Sequence, residues 1–402
     1  MISIDLINSC ELQLKDNFSK LDEISLFNQE KVLNAFKKRN IALRHFVGTT
    51  GYGYGDEGKE ALNDVLSDIF KTESSICSPN IVSGTHALTL CLFGVLRPND
   101  KVLCVSGTPY DTLTDVINGE NIGSLKDFGV SFEYVDLVNG DFNFDVIRDK
   151  LSNNVYKMIY LQRSRGYEWR NALSIPQIKK LVDFIKACSF NGCIMLDNCY
   201  GEFVDTIEPT EVGVNLLAGS MIKNIGGGIA PTGGYVAGDK KYVDLVYNRL
   251  TAPSIGGEVG SYTYGYQYFF QGLFMAPHVV KEALKGAMLI GRVLSELGYD
   301  TSPSEDVLPN DIIKAIKFND KEKLIKFIQN VQYNSPVDSN VTAIPWSMPG
   351  YKDEVIMAAG CFVQGASIEL SADAPIRPPY IAYFQGGLTF EHCKIVLKNL
   401  DL

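Results

Sequence analysis

The first 50 residues carry apolar positions at helical spacing, Leu26, Val32, Leu33 and Phe36, interleaved with charge. This pattern predicts helices with one buried face. From about residue 58 the chain changes to short apolar runs separated by helix-length stretches: a helix over 58–71, an apolar run at 80–82, a helix opening at Ser83-Gly84-Thr85, and strands at 102–105, 132–135, 158–161, 194–196 and 216–220. Short runs that are apolar throughout are buried on both faces, and their alternation with helices predicts a mostly parallel sheet covered on both sides. Beyond about residue 271 the pattern changes again, to long amphipathic helices over 280–298 and 311–331 and strand-like runs around 341–345 and 361–370. The chain reads as an α/β protein with an N-terminal helical arm (1–50), a large sheet domain (51–270) and a smaller α+β C-terminal domain (271–402).

Composition narrows the function. The 402 residues carry 37 basic and 47 acidic side chains, a net charge of −10, and the doublets Lys37-Lys38, Lys179-Lys180 and Lys240-Lys241 stand apart from one another. Without a basic stripe, nucleic acid and anionic membrane surfaces are excluded as expected partners. The longest apolar stretch, near 87–96, is shorter than the roughly 20 residues a spanning helix needs. Residues 1–10 include Asp5, and the first basic side chain is Lys15, so no secretory leader is expected and the protein is placed in the cytoplasm. Nine cysteines without a C-x-x-C pair and four scattered histidines point to reduced, buried thiols and to no metal site. The expected partner is a small molecule.

The most informative stretch is Ile194-Met195-Leu196-Asp197-Asn198-Cys199-Tyr200, followed later by Ser220-Met221-Ile222-Lys223-Asn224 and glycines. One strand delivers an acid at its C-terminal end, where α/β sheets bind ligands, and a second strand delivers a lysine. A partly buried lysine has a lowered pKa and is suited to forming a Schiff base with a carbonyl. An aspartate beside a pyridine nitrogen keeps that nitrogen protonated, which makes a pyridoxal ring an electron sink. Ser83-Gly84-Thr85-His86 opens a helix whose free amides and dipole suit a phosphate, with an ordinary helix cap as the alternative. Tyr110, on the loop Ser106-Gly107-Thr108-Pro109-Tyr110, is placed to stack on a flat ring.

Together with Tyr52-Gly53-Tyr54-Gly55-Asp56, Gln162-Arg163-Ser164-Arg165-Gly166-Tyr167 and Gln385-Gly386-Gly387-Leu388-Thr389, these motifs run through most of the chain. In that order they resemble fold-type I pyridoxal-phosphate enzymes of the cystathionine/methionine lyase group, in particular the branch of aluminium resistance or methionine γ-lyase family proteins. The resemblance implies pyridoxal 5′-phosphate as cofactor, Lys223 as its attachment point and general base and acid, Asp197 at the pyridine nitrogen and Tyr110 on the ring. It implies that Ser220, with Ser83 and the amides of Gly84 and Thr85, binds the phosphate. It also implies a homodimer or homotetramer with shared sites, in which Tyr54 or Tyr52 reaches the neighbouring subunit's phosphate.

Two positions depart from the wider group. Ile222 stands before the lysine where a threonine is usual, and Tyr383 stands where an arginine usually grips the substrate carboxylate. Arg377, between Ile376 and Pro378, is the nearest replacement, with Arg165 and Arg163 as rivals. The expected activity is β- or γ-elimination at a carbon–sulfur bond of a cystathionine- or methionine-like amino acid. Aminotransfer and aldol cleavage are alternatives on the same scaffold, and a non-catalytic cofactor-binding protein is a remote one. Gly53-x-Gly55-x-x-Gly58 also satisfies a dinucleotide-binding pattern. No buried strand precedes it, and Asp56 and Glu57 put negative charge where a pyrophosphate would sit.

Overall fold

The computed structural model of the chain describes residues 1–401. Helices α1 (Ile4–Gln13) and α2 (Lys15–Lys38) come first, and α3 (Glu57–Phe70) leads into the large sheet. There follow β1 (Ser74–Ser78), α4 (Gly84–Val95), β2 (Lys101–Cys104), α5 (Asp111–Asn118), β3 (Ser131–Tyr134) and α6 (Phe144–Asn153). Next come β4 (Met158–Gln162), α7 (Ile175–Ala187), β5 (Cys193–Asp197), β6 (Leu216–Ser220), β7 (Gly234–Gly238) and α8 (Lys240–Leu250). The remainder is α9 (Gln267–Glu296), β8 (Asp300–Ser302), β9 (Ile313–Lys317), α10 (Lys321–Tyr333), β10 (Val355–Ala358), β11 (Ser371–Pro375), β12 (Ile381–Gln385) and α11 (Phe390–Asn399).

The large sheet has the order β1-β7-β6-β5-β4-β2-β3. Its pairings from β3 to β6 are parallel, and β7 runs antiparallel to both β6 and β1. β4, β5 and β6 are buried along their whole length, as expected for strands covered on both faces. Each fully buried aliphatic side chain there contributes about 1.5–3 kcal/mol. The expected mostly parallel α/β architecture is borne out. β7 has no counterpart in the apolar pattern because glycines flank its three apolar residues. One of them is required: a Cβ on Gly238 would lie 2.1 Å from the Asn215 carbonyl oxygen. The run at 80–82 is a turn, and the first strand precedes it at Ser74–Ser78, where three serines conceal the apolar signal.

The second sheet, β10-β11-β12-β9-β8, is antiparallel. One face packs on α9, α10 and α11 through Ile316, Ile356, Ala372, Ala374, Ala382 and Phe384. The other carries Ile313, Ala315, Ile381 and Tyr383 toward Tyr167 and Tyr200. The stretch 311–331, predicted as one helix, is a strand and a helix. The strand ends at Lys317, and Asp320 caps the helix by accepting the Lys323 amide at 2.9 Å. Neither strand-like run, 341–345 or 361–370, forms a strand. In the second run the Glu369 carboxylate accepts the amides of Phe362 and Val363, both at 2.8 Å, and folds the backbone into turns. The strands lie just beyond it. α9 spans 30 residues, so the expected boundary near 271 falls inside a single helix.

Candidate active site

A cleft of about 490 Å³ lies between the C-terminal ends of the parallel strands and the open face of the antiparallel sheet. Its lining includes Ser83, Gly84, Thr85, Tyr110, Asp197, Ser220 and Lys223, with Arg165 and Arg377 on the same cleft. Arg163 lines no part of it, and neither do Tyr52 and Tyr54, which are 71% and 68% exposed.

Each floor residue is held from its own strand. Asp197 ends β5, pairs with Ala218 of β6 and is buried. Its Oδ1 accepts the Cys199 amide at 3.0 Å. Burial pushes its carboxyl above the ordinary range, against the Lys223 charge and the hydrogen bonds from Cys199. Lys223 follows β6 on a turn closed by the Lys223 amide to the Ser220 carbonyl at 3.3 Å and the Gly226 amide to the Lys223 carbonyl at 3.1 Å. That turn packs so closely on α9 that a Cβ on Gly227 would lie 2.5 Å from the Gly272 carbonyl oxygen. The lysine amine sits 4.0 Å from the centre of the Tyr200 ring. The pKa depression expected for Lys223 is not what the site produces. Burial does lower it, but the negative charge of Asp197 opposes burial, and the amine is held above its ordinary range.

The start of α4 lines the cleft with Ser83, Gly84 and Thr85. Ser83 caps the helix by accepting the His86 amide at 3.0 Å, which leaves the amides of Gly84 and Thr85 without intrahelical acceptors. A Cβ on Gly84 would lie 3.4 Å from both Cys199 Sγ and Ser220 Cβ, so this helix start abuts the end of β6. Thr85 Oγ1 is 2.7 Å from the Tyr110 hydroxyl, and the Tyr110 amide donates to Gln162 Oε1 at 2.8 Å. Burial above all, with the Asp197 charge, raises the Tyr110 pKa and keeps the phenol neutral.

The three arginines differ in their commitments. Arg163 Nη1 donates to Asn198 Oδ1 at 2.9 Å and to the Gly201 carbonyl at 2.8 Å, so it braces the loop that follows Asp197 from beneath. Arg377 pairs with Asp353 at 2.8 Å, with a side chain 44% exposed. Arg165 is buried, its Nη1 reaches Ser302 Oγ at 3.1 Å, and its Nε and Nη2 have no partner among the described residues. Several cleft residues do not emerge from the motifs as site residues: Tyr200, Gln162, Thr112, Tyr351, Ser367 and Asp373. Only Tyr200 carries a local signal, its place after the Asp197 strand. Its backbone φ of +71°, uncommon for a bulky residue, holds the ring under the lysine.

A helix start, a buried acid and a buried lysine that meet in one cleft at the C-terminal edge of a mostly parallel sheet define the fold-type I pyridoxal-phosphate-dependent class. The backbone is similar to that of the pyridoxal-5′-phosphate-dependent protein YhfS from Escherichia coli (TM-score 0.63, 14% identity, 94% of this chain and 96% of that chain). The chain belongs to the methionine γ-lyase family, whose model matches residues 3–401. It is similar to a carbon–sulfur lyase involved in aluminium resistance from Clostridium novyi NT, at 50% identity and TM-score 0.94, with 98% of this chain and 94% of that one covered. A protein from Listeria monocytogenes, provisionally named a cystathionine β-lyase involved in aluminium resistance, is 47% identical with TM-score 0.96 and 98% of both chains covered. The expected family, fold and lyase class are borne out.

Proposed function

We propose that this chain binds pyridoxal 5′-phosphate in the cleft and cleaves the carbon–sulfur bond of a thioether amino acid by β- or γ-elimination. The observation that carries this reading is the convergence of Lys223, Asp197 and the α4 start at Ser220 on one cleft. The residues fit the cofactor by their chemistry: free amides at a helix start for a phosphate, a buried carboxyl for a ring cation and a buried amine for an aldehyde. Bound there, the cofactor supplies an electron sink beside the substrate Cα.

The side chains do the rest. Lys223 holds and moves the proton at Cα. Asp197, whose burial is relieved by a neighbouring cation, favours positive charge at the deep end of the cleft. Ser220, Ser83 and the Gly84 and Thr85 amides hold the phosphate, so the hydroxyl missing at Ile222 is replaced by the helix start. Tyr110, fixed by Thr85 and Gln162, lies along the ring face. Arg165 binds the substrate carboxylate, because it lines the cleft and two nitrogens of its planar guanidinium have no partner among the described residues. Arg377, already paired with Asp353, stands at the rim.

The working unit is a homodimer or a dimer of dimers. Tyr52 and Tyr54, tilted against each other at 5.6 Å and largely exposed, reach the phosphate of a second copy. The net charge of −10, together with the absence among the described residues of a helix long and apolar enough to cross a membrane, supports a cytoplasmic enzyme that takes a small amino acid and neither nucleic acid nor membrane. The test is incubation of the cofactor-loaded protein with L-cystathionine and L-methionine. Equal amounts of thiol and 2-keto acid are expected from at least one of them. Keto acid without thiol marks an aminotransferase, and neither product overturns the lyase reading.

A further inference from the structure

The wall of the cleft facing the lysine is a row of four side chains set directly across three strand pairings, Met357 opposite Asp373, Asp373 opposite Tyr383 and Tyr383 opposite Ala315. Directly opposed residues in a sheet share a face. Here it is the open one: Tyr383 and Ala315 lie on the cleft side, away from α9, and Met357, Asp373 and Tyr383 line the cleft. The row therefore carries a carboxylate into the substrate space directly across from Tyr383, the position where the wider lyase group carries an arginine.

This carboxylate is unbalanced. Its side-chain partner among the described residues is the Tyr167 hydroxyl at 3.1 Å, and no ammonium or guanidinium forms an ion pair with it among those residues. Burial pushes the Asp373 carboxyl up to about 6, against the Tyr167 hydrogen bond and the Lys223 charge. A structural role in holding Tyr167 is redundant. The Tyr383 hydroxyl already donates to the Tyr167 carbonyl at 2.6 Å, and the Tyr167 ring packs on Tyr383 at 5.1 Å and Tyr351 at 5.9 Å. Three phenol rings around one carboxylate form a cage whose faces and acid both attract a cation. A buried anion without a partner costs free energy that an incoming cation recovers.

We propose that Asp373, framed by Tyr167, Tyr351 and Tyr383, binds an ammonium group at the far end of the substrate side chain. The preferred substrates are then thioether-linked diamino acids, and simple alkyl thioethers of the methionine kind are poor ones. This rests on the lyase reading of the same cleft. Arg165 takes the carboxylate next to the reacting carbon, while Asp373 takes the ammonium on the other arm.

The test compares L-cystathionine with S-(3-carboxypropyl)-L-cysteine, which lacks only the distal ammonium, in the cofactor-loaded wild type and in Asp373→Asn, a variant that keeps an acceptor for Tyr167. The wild type is expected to favour L-cystathionine in kcat/KM by about 10- to 100-fold. Asp373→Asn is expected to bring that ratio to within about threefold of unity, chiefly through a fall in kcat/KM for L-cystathionine. An equal fall for both substrates, or a wild type that does not discriminate, overturns the proposal. Calorimetric titration of the same two compounds into cofactor-loaded Lys223→Ala, with and without Asp373→Asn, reads the binding ratio where no turnover is possible. If the wild type releases no thiol from either compound, the lyase reading fails, and the calorimetric ratio still decides the role of Asp373.

Discussion

The floor of the cleft and its wall are made in different ways. The floor consists of groups on the ends of neighbouring parallel strands and on the helix start beside them, Asp197 on β5, Ser220 at the end of β6, Lys223 just after it and Gly84 on α4. Its strands are completely buried, so its geometry is set by the core. The wall is a surface of the smaller antiparallel sheet, with Asp373 and Tyr383 on strands whose opposite face forms another core. A cofactor that is the same in every turnover suits the floor. Variation in substrate is accommodated on the wall, where Asp373 and Tyr383 line the cleft while the opposite face of their sheet stays packed in its own core.

Substitutions separate the two regions by size of effect. Lys223→Ala is expected to lower turnover by a factor on the order of 10⁴ or more, and to abolish the absorbance of the attached cofactor. A variant that keeps both would remove Lys223 from the floor. Asp197→Asn is expected to cost on the order of 10²- to 10³-fold in kcat, with cofactor still bound; a loss below tenfold would mean that the acid only caps its loop. Among the arginines that line the cleft, Arg165→Ala is expected to raise KM by about 10- to 100-fold with a smaller change in kcat. Arg377→Ala, tied to Asp353 and half exposed, is expected to change KM by less than about threefold. The reverse order of these two would move the carboxylate anchor to the rim.

The smallest effect concerns what lies beneath the floor. Glu202 is buried, accepts the Tyr235 hydroxyl at 2.6 Å through Oε1, and has no partner for Oε2 among the described residues. Burial raises its pKa to about 8. The folded protein therefore binds this proton more tightly than the unfolded chain does. The group's contribution to stability falls as pH rises from the ordinary glutamate range to about 8, the opposite of a salt-bridged carboxylate. Glu202→Gln is expected to flatten the fall of Tm over that window by roughly 2–4 °C. An unaltered pH profile would show that Glu202 is ionised and paired in the fold.

The same contrast explains what could be read in the chain. The floor was legible because each of its groups follows or precedes a short apolar run, so that Asp197, Lys223 and Ser83-Gly84-Thr85 carry their structural context with them. The wall was not. Asp373 lies in Ser371-Ala372-Asp373-Ala374-Pro375, where small residues leave no apolar alternation. It becomes a cleft residue only through its register with Tyr383 and Met357 on other strands. Arg163 and Arg165 differ by two positions, yet one is tied to Asn198 and Gly201 under the floor, and the other lines the cleft with two buried nitrogens that have no partner among the described residues. Nothing in their local sequence separates them. The raised Lys223 pKa is hidden in the sequence for a related reason, since burial is visible in the flanking residues and the approach of the Asp197 charge from the neighbouring strand is not.

The central claim is that the floor of this cleft carries pyridoxal 5′-phosphate on Lys223. Borohydride reduction of the cofactor-loaded protein, followed by proteolysis and mass spectrometry of the lysine peptides, tests it most directly. The phosphopyridoxyl mass is expected on the peptide containing Lys223, in near-stoichiometric yield. The same mass confined to another lysine, or no modified peptide from protein saturated with the cofactor, would contradict it.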